Sequence, residues 1–235
     1  MKIAWLGHAC YRITSDSGLK IITDPYLVAG FSVVVSGELK YGELQEEADI
    51  VVVSHEHPDH NNVDAIKGNP EVVRGNQVRE ITRNIKGIEF KALPCYHDAV
   101  GGKRAGENNM IYFEIDGVRI CHTGDLGHPL NDKQVTELGK IDVLLLSVGL
   151  FNREGNHFII DTVVADALYS QLAPKVTIPG HFSNNKCTFK IAILDEFLES
   201  KKDVIRLDEN YISEVELKKE ELPTTAQIMV LKPIY

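Results

Sequence analysis

Residues 54–60 read SHEHPDH: three histidines, a glutamate and an aspartate within six residues, directly after the apolar run IVVV at 50–53. Groups of this kind are costly to bring together away from water unless something binds them. Neutral imidazole and ionised carboxylate are ligands for zinc and its first-row neighbours, so the chemistry indicated is metal binding. His55 and His57 stand two apart, and in an extended segment both side chains point to the same side. Pro58 suits the start of a helical turn, from which Asp59 and His60 project. One short loop can thereby serve two adjacent metal positions.

Three more apolar, strand-like runs end in candidate ligands: FKALPCY into His97, VRICHTG into Asp125 and VTIP into His181. Polar groups at strand ends, on loops beside a rigid sheet, are where functional sites are commonly built. The inventory is then five histidines and two carboxylates. One tetrahedral catalytic zinc takes three protein ligands and a water, so seven ligands exceed a single ion. Two ions sharing a bridging carboxylate would use them all.

The elements that must position these groups are legible around them. The first half reads mostly as strands: KIAWLGH, LKIITDP, DIVVVSH, IEFKALPCYH, NMIYFEID and VRICHTGD, with turns at SDSG and at Asp116–Gly117. Later segments read as amphipathic helices. One is DTVVADALYSQLA, with Asp161 as N-cap, and the other is FKIAILDEFLESKK from Phe189, with lysines in its last turn. The short strand KVTIPGHF lies between them. Strands mixed with such helices predict sheets covered by helices on their outer faces. Residues 212–235 are expected to add edge strands or an oligomer contact.

The HEHPDH segment, the isolated His97, TGDLGH at 123–128 and IPGHF at 178–182 resemble, in order, the motifs of the metallo-β-lactamase superfamily. Trp5–Ala9 (WLGHA) and Thr23–Pro25 (TDP) are similar to segments of its small stand-alone hydrolases near the L-ascorbate-6-phosphate lactonases. The resemblance runs from about residue 3 to residue 200. It implies an α/β fold, the four-layer αββα sandwich with two mixed β-sheets, as a single domain over 1–235. It also implies that His55, His57 and His97 hold one metal, that Asp59, His60 and His181 hold a second, and that Asp125 bridges them. The expected cofactors are two divalent ions, zinc first, with Mn2+, Fe2+ or Ni2+ as alternatives. The expected reaction is hydrolysis of a small anionic ester, lactone or phosphodiester by a metal-bound hydroxide, with Asp59 steering the nucleophile and relaying a proton.

Asp24 is the first candidate for orienting a ligating histidine, and His8 and His128 are candidates for sites beside the metals. His122, His157 and Glu56 are read as ordinary polar residues. Lys103 and Arg104, in the glycine-rich GGKRAGENN at 101–109, would bind an anionic substrate group from a flexible loop, and Arg153 and Asn156 would line the same mouth.

Composition bounds the alternatives. The 235 residues carry a formal charge of −9 with no long basic run, which argues against a nucleic-acid partner. No run approaches 18 apolar residues and the N-terminus lacks a signal-peptide core, so a cytoplasmic protein with no membrane partner is expected. Cys10, Cys95, Cys121 and Cys187 form no CxxC pair and read as reduced, buried residues. A homo-oligomer is a further expectation. The rival readings are a non-catalytic metal-binding or regulatory module and an iron-dependent redox member of the same fold. Against the second, the common diiron version carries a carboxylate where this sequence keeps His57.

Overall fold

The computed structural model describes residues 1–28, 37–78, 82–154 and 157–235, with the backbone alone for the strands between 150 and 161. In chain order the strands are β1 (Lys2–Gly7), β2 (Cys10–Thr14), β3 (Lys20–Thr23), β4 (Ile50–Val53), β5 (Glu71–Arg74), β6 (Arg83–Ile85), β7 (Ile88–Tyr96) and β8 (Glu107–Ile115). They continue as β9 (Val118–His122), β10 (Val143–Ser147), β11 (Leu150–Glu154), β12 (His157–Asp161), β13 (Val176–Gly180), β14 (Val204–Arg206), β15 (Glu214–Glu216) and β16 (Gln227–Val230). The helices are short: α1 (Gly75–Val78), α2 (Asp132–Leu138), α3 (Val163–Leu172) and α4 (Leu194–Leu198). Among the described residues, no helix is long and apolar enough to cross a membrane.

Two mixed sheets form the sandwich expected from the sequence. One has the order β15-β1-β2-β3-β4-β5, and the other β14-β16-β13-β10-β9-β8-β7-β6. Alternation along the strands divides the first sheet between two apolar clusters. Ile3, Trp5, Tyr11, Ile13, Ile21, Ile50 and Val52 face the core between the sheets. Leu6, Cys10, Ile22, Val51 and Val53 face a second cluster on the outer side, with Tyr26, Tyr41 and Phe189. This explains IVVV: β4 pairs in parallel with β3 and β5 and is covered on both faces, so it reads as an unbroken apolar run.

Strand direction sets the site. In the first sheet β1, β3 and β4 run the same way, because β1–β2 and β2–β3 are antiparallel and β3–β4 is parallel. In the second sheet β7, β9, β10 and β13 likewise share a direction. The residues that follow these strands are His8, Asp24, Ser54–His55, His97, Asp125, Gly149 and His181. Ligands bind outside the carboxyl ends of such strands in open α/β sheets.

Several expectations are corrected. The helix expected from Phe189 is only Leu194–Leu198. Phe189 and Ile191 instead alternate into the outer cluster, and Ser183 bridges Ile193 in strand fashion, which removes the first turns of the helix. The N-cap position of α3 is Thr162 rather than Asp161. The C-terminal segment supplies one edge strand, β15 against β1, but β16 lies inside the second sheet between β13 and β14. Helix α2 was not expected, although Asn131 and Gln134 form a capping box at its start. The turn at Asp116–Gly117 joins β8 to β9 as expected, with φ of 50° and 72°. All four cysteines are buried.

Candidate metal centre

The seven expected ligands meet at one edge of the sandwich. His55, His57 and His97 bring ligand atoms within 4.8 Å of one another, and His8, Asp59, His60 and His181 form a second such group. Asp125 lies between them. Its Oδ2 is 3.2 Å from Nε2 of His97 in the first group and 3.2 Å from Nε2 of both His60 and His181 in the second. His55 Nε2 and His57 Nδ1 are 3.1 Å apart.

These separations fit a metal. Two nitrogens each about 2.0–2.1 Å from a tetrahedral ion stand roughly 3.3 Å from each other. His60 Nε2 and Asp125 Oδ1 are buried without a hydrogen-bond partner, an arrangement that is expensive unless a cation completes it. The electrostatics agree in sign. Burial pushes the Asp125 and Asp59 carboxyls up, but His181 and His60 beside Asp125, and His60 and His8 beside Asp59, hold both below the usual range. Burial lowers His55 and His57, helped by His60 and His97 respectively, so both are neutral imidazoles ready to donate a lone pair. Burial also lowers His60 and His181, but the carboxylates, Asp125 foremost, reverse this and raise both. The cluster therefore draws positive charge onto itself.

His8 stands closer to the centre than a neighbour would. Burial and the adjacent His181 push it down to about 4, so it is neutral and donates Nε2–H to Asp59 Oδ2 at 3.2 Å. His181 is oriented from behind, Nδ1–H donating to the Gly149 carbonyl at 2.7 Å. Asp24 is fully buried and collects four donors: the Ser54 N–H on Oδ1, and Ser54 Oγ, His60 Nδ1 and His122 Nε2 on Oδ2. Burial raises its carboxyl, but His122 and His60 hold it far below the usual range.

Close packing fixes the loops. Gly124 has φ 51°, and a side chain there would meet Ser54 Cβ at 2.6 Å. A side chain at Gly180 would meet the His8 carbonyl at 2.7 Å and the Tyr11 hydroxyl, which itself donates to the Ile178 carbonyl. Asn108 Oδ1 accepts from the Asp125 N–H at 3.0 Å, and Asn109 Nδ2 donates to the Ser54 carbonyl at 2.9 Å. A cavity of about 260 Å³ opens beside His55 and His57, with Asn76, Gly106 and Asn109 among its walls.

Other expected residues are placed differently. His128 is taken up by the backbone: its Nε2 accepts from the Tyr96 N–H and its Nδ1 donates to the Pro129 carbonyl. It therefore pins the end of β7 to the turn after Asp125 rather than reaching toward a candidate ligand. Lys103 and Arg104 are exposed, but their loop is not the loose one expected. Asp98, 3% exposed, accepts the N–H groups of Val100 and Gly102 on Oδ1 and of Arg104 and Ala105 on Oδ2. The Arg153 side chain and Asn156 lie outside the described residues, as does the His157 side chain. Glu56 is exposed and bound to Arg74, as an ordinary surface residue would be.

Sequence reasoning missed Ser54, Asp98, Asn108, Asn109 and His122. The amides carried a signal, since two adjacent asparagines open the apolar strand β8, where polar side chains need a buried partner.

Residues 2–181 match the β-lactamase superfamily domain family, and the chain belongs to it. Its architecture is the metallo-β-lactamase fold. It is similar to a Thermotoga maritima crystal structure assigned to the zinc-dependent hydrolases of the metallo-β-lactamase superfamily, at 29% identity and a TM-score of 0.70, covering 98% of each chain. It is also 27% identical over 209 residues to a metal-dependent hydrolase of Archaeoglobus fulgidus, covering 78% of this chain and 84% of that one. A metal-dependent hydrolase of Hyperthermus butylicus is 27% identical over 257 aligned positions, covering 98% and 96%. The finer likeness to the L-ascorbate-6-phosphate lactonases rests on the WLGHA and TDP residues alone.

Proposed function

We propose that the chain is a metal-dependent hydrolase that holds two divalent ions, zinc first, and acts on a small anionic ester, lactone or phosphodiester. The observation that carries this reading is the pair of ligand groups joined through Asp125 Oδ2, with nitrogen and oxygen separations of 3.1–3.2 Å suited to shared cations. His55, His57 and His97 would hold the first ion, and Asp59, His60 and His181 the second, with Asp125 common to both. Bound there, such ions supply Lewis acidity, polarising a carbonyl or phosphoryl oxygen and making a water acidic near neutral pH.

The chain's own groups do the rest. Asp59, ionised and steadied by the His8 N–H, would orient the attacking water and accept its proton before passing it to the leaving group. The cavity beside His55 and His57 would admit the substrate. Lys103 and Arg104, presented on the loop that follows His97, would attract the substrate's negative charge from the rim.

The test is metal content together with turnover. Purified protein should carry close to two ions per chain, falling in His181→Ala and in Asp125→Ala. It should hydrolyse members of a panel of phosphodiesters, lactones and carboxylic esters, and lose that activity on chelation. Two ions with no turnover across the panel would favour the regulatory module, and an absence of bound metal would end the reading.

A further inference from the structure

We infer that Asn108 is the positioning residue of Asp125: its side-chain amide sets the turn that carries the shared carboxylate, so that Asp125 reaches both ligand groups and not one alone. This rests on the two-ion reading above and adds what holds the bridge in place.

The Asp125 carboxylate has little of its own to fix it. Oδ1 is buried without a hydrogen-bond partner, and Oδ2 meets ring nitrogens of candidate ligands from both groups. Its place is therefore set through the backbone of the turn Thr123–Asp125. That turn lies past the end of a ladder. Pairing between β8 and β9 stops at Ile111 and His122, and the same register continued places Asn108 level with Asp125.

Asn108 takes over where the ladder stops. Its Oδ1 accepts from the Asp125 N–H at 3.0 Å, and its Nδ2 donates to the Thr123 carbonyl at 2.9 Å. The partners settle which way the amide faces, since a backbone N–H only donates and a carbonyl only accepts. The side chain thus stands in for the peptide group of a neighbouring strand and closes both ends of the turn. It has no room to relax. Asn108 is fully buried, its Nδ2 also meets Cys95 Sγ at 3.2 Å on the strand leading to His97, and a side chain at Gly124 would collide with its Oδ1. Ser54 closes the other side of Gly124.

The next residue supplies a contrast. Adjacent strand residues point to opposite faces, and Asn109 Nδ2 reaches the Ser54 carbonyl at 2.9 Å, beside His55 of the first group. One amide therefore serves the bridge, and its neighbour serves a single group. A bridge tolerates little error, because metal–ligand distances hold to within about 0.2 Å. A turn released by more than that leaves Oδ2 with one ion or the other.

Loss of a group that orients a metal ligand typically costs about 10–100-fold in affinity. The experiment loads metal-stripped protein with saturating Mn2+ and records its electron paramagnetic resonance, with calorimetric titration and melting temperature in parallel. Two ions joined by a carboxylate give a spin-coupled spectrum, and separate ions give the isolated-ion one. Wild type should be coupled. Asn108→Ala should bind at least one ion about tenfold or more weakly and move the spectrum toward isolated ions. Asn108→Asp keeps the acceptor for the Asp125 N–H but not the donor to Thr123, so it should fall between the two, and it carries the test where Asn108→Ala does not fold. Asn109→Ala should weaken a single binding step and lower the melting temperature, yet leave the loaded pair coupled, which separates placement of the bridge from general loosening. Wild-type coupling and affinity in a folded Asn108 variant, or the same uncoupling in Asn109→Ala, would overturn the inference and leave the two-ion reading intact. Wild-type protein that holds one ion, or two uncoupled ions, would overturn the shared bridge and this inference with it.

Discussion

Asp98 offers a measurable link between a loop and the ligand beside it. The residue directly follows His97, and its two carboxylate oxygens each accept two backbone N–H groups from the loop that returns to β8. The change to test is Asp98→Asn, which keeps size and one acceptor oxygen. The amide that replaces Oδ2 can no longer accept from Arg104 and Ala105, so two of four bonds are lost. Hydrogen bonds to charged groups contribute about 1.5–3 kcal/mol each, and the loop is open enough for water to recover part of that. A loss of about 2–3 kcal/mol in all is expected, or roughly 4–10 °C in melting temperature for a chain of this length.

The pH dependence has a defined sign. Burial raises the Asp98 carboxyl, but the four N–H donors outweigh it and depress the value in the folded state. A depressed carboxylate stabilises above its unfolded value, about 3.9, and the stabilisation fades as pH falls through the lower folded value. Urea unfolding of wild type and variant should therefore differ by the full amount at pH 6, and the difference should shrink below about pH 4. Because the His97 N–H also donates to the Gly106 carbonyl within this loop, the variant should lose metal from the first group more readily than from the second. A difference under about 0.5 kcal/mol at pH 6, with unchanged denaturant slope, would show that the loop does not depend on Asp98.

Two further outcomes are expected. Gly180→Ala forces a methyl against the His8 carbonyl and the Tyr11 hydroxyl, so it should cost about 1–3 kcal/mol in unfolding free energy and reduce metal content through displacement of His181. Normal stability and metal content in that variant would mean the contact yields easily. Lys103→Ala combined with Arg104→Ala should raise KM several-fold for anionic substrates, more steeply at low salt, and leave kcat and neutral substrates unaffected. Equal effects on both substrate types would mean that the loop acts by shape and not by charge.

The candidate ligands were legible because they sit in a short motif or at the ends of apolar runs. Their backbone positions follow from strand direction, which only the pairing within the two sheets shows. What surrounds them was harder to read. His122 looks like any residue closing the strand VRICH, and only the docking of the second sheet onto the first brings it to Asp24. Asp98 resembles a loop aspartate until the chain wraps around it. Asn108 and Asn109 hold loops more than ten residues away in sequence, at Asp125 and Ser54. His128 shows the opposite case, since it follows Asp125 closely in sequence but both of its ring nitrogens are taken up by the backbone of Tyr96 and Pro129. The helix expected from Phe189 failed for a related reason: its apolar residues satisfy a helical period, but the outer cluster uses them with strand-like alternation.

The site is also the seam between the sheets, and this bears on its stability. His122 of the second sheet reaches Asp24 of the first, and Asn109 reaches the Ser54 carbonyl. The His8 carbonyl accepts both the Trp5 indole N–H at 2.9 Å and the His181 N–H at 3.0 Å, joining the ends of β1 and β13. The two ligand groups are likewise drawn from both sheets, since His55, His57, Asp59 and His60 follow β4, whereas His97, Asp125 and His181 follow β7, β9 and β13. A cation held across this seam binds only the docked arrangement, so each ion adds its binding free energy to the closure of the sandwich. Without ions, His60 Nε2 and Asp125 Oδ1 stay buried without a hydrogen-bond partner at the seam. The apolar core between the sheets and the hydrogen bonds across the seam must then hold the edge closed. Stripping metal should therefore loosen the end of the sandwich that carries the loops after β4, β7 and β13 before it loosens the core, and hydrogen exchange would show it as lost protection at His60, His97 and His181 while Val51, Ile120 and Leu145 stay protected.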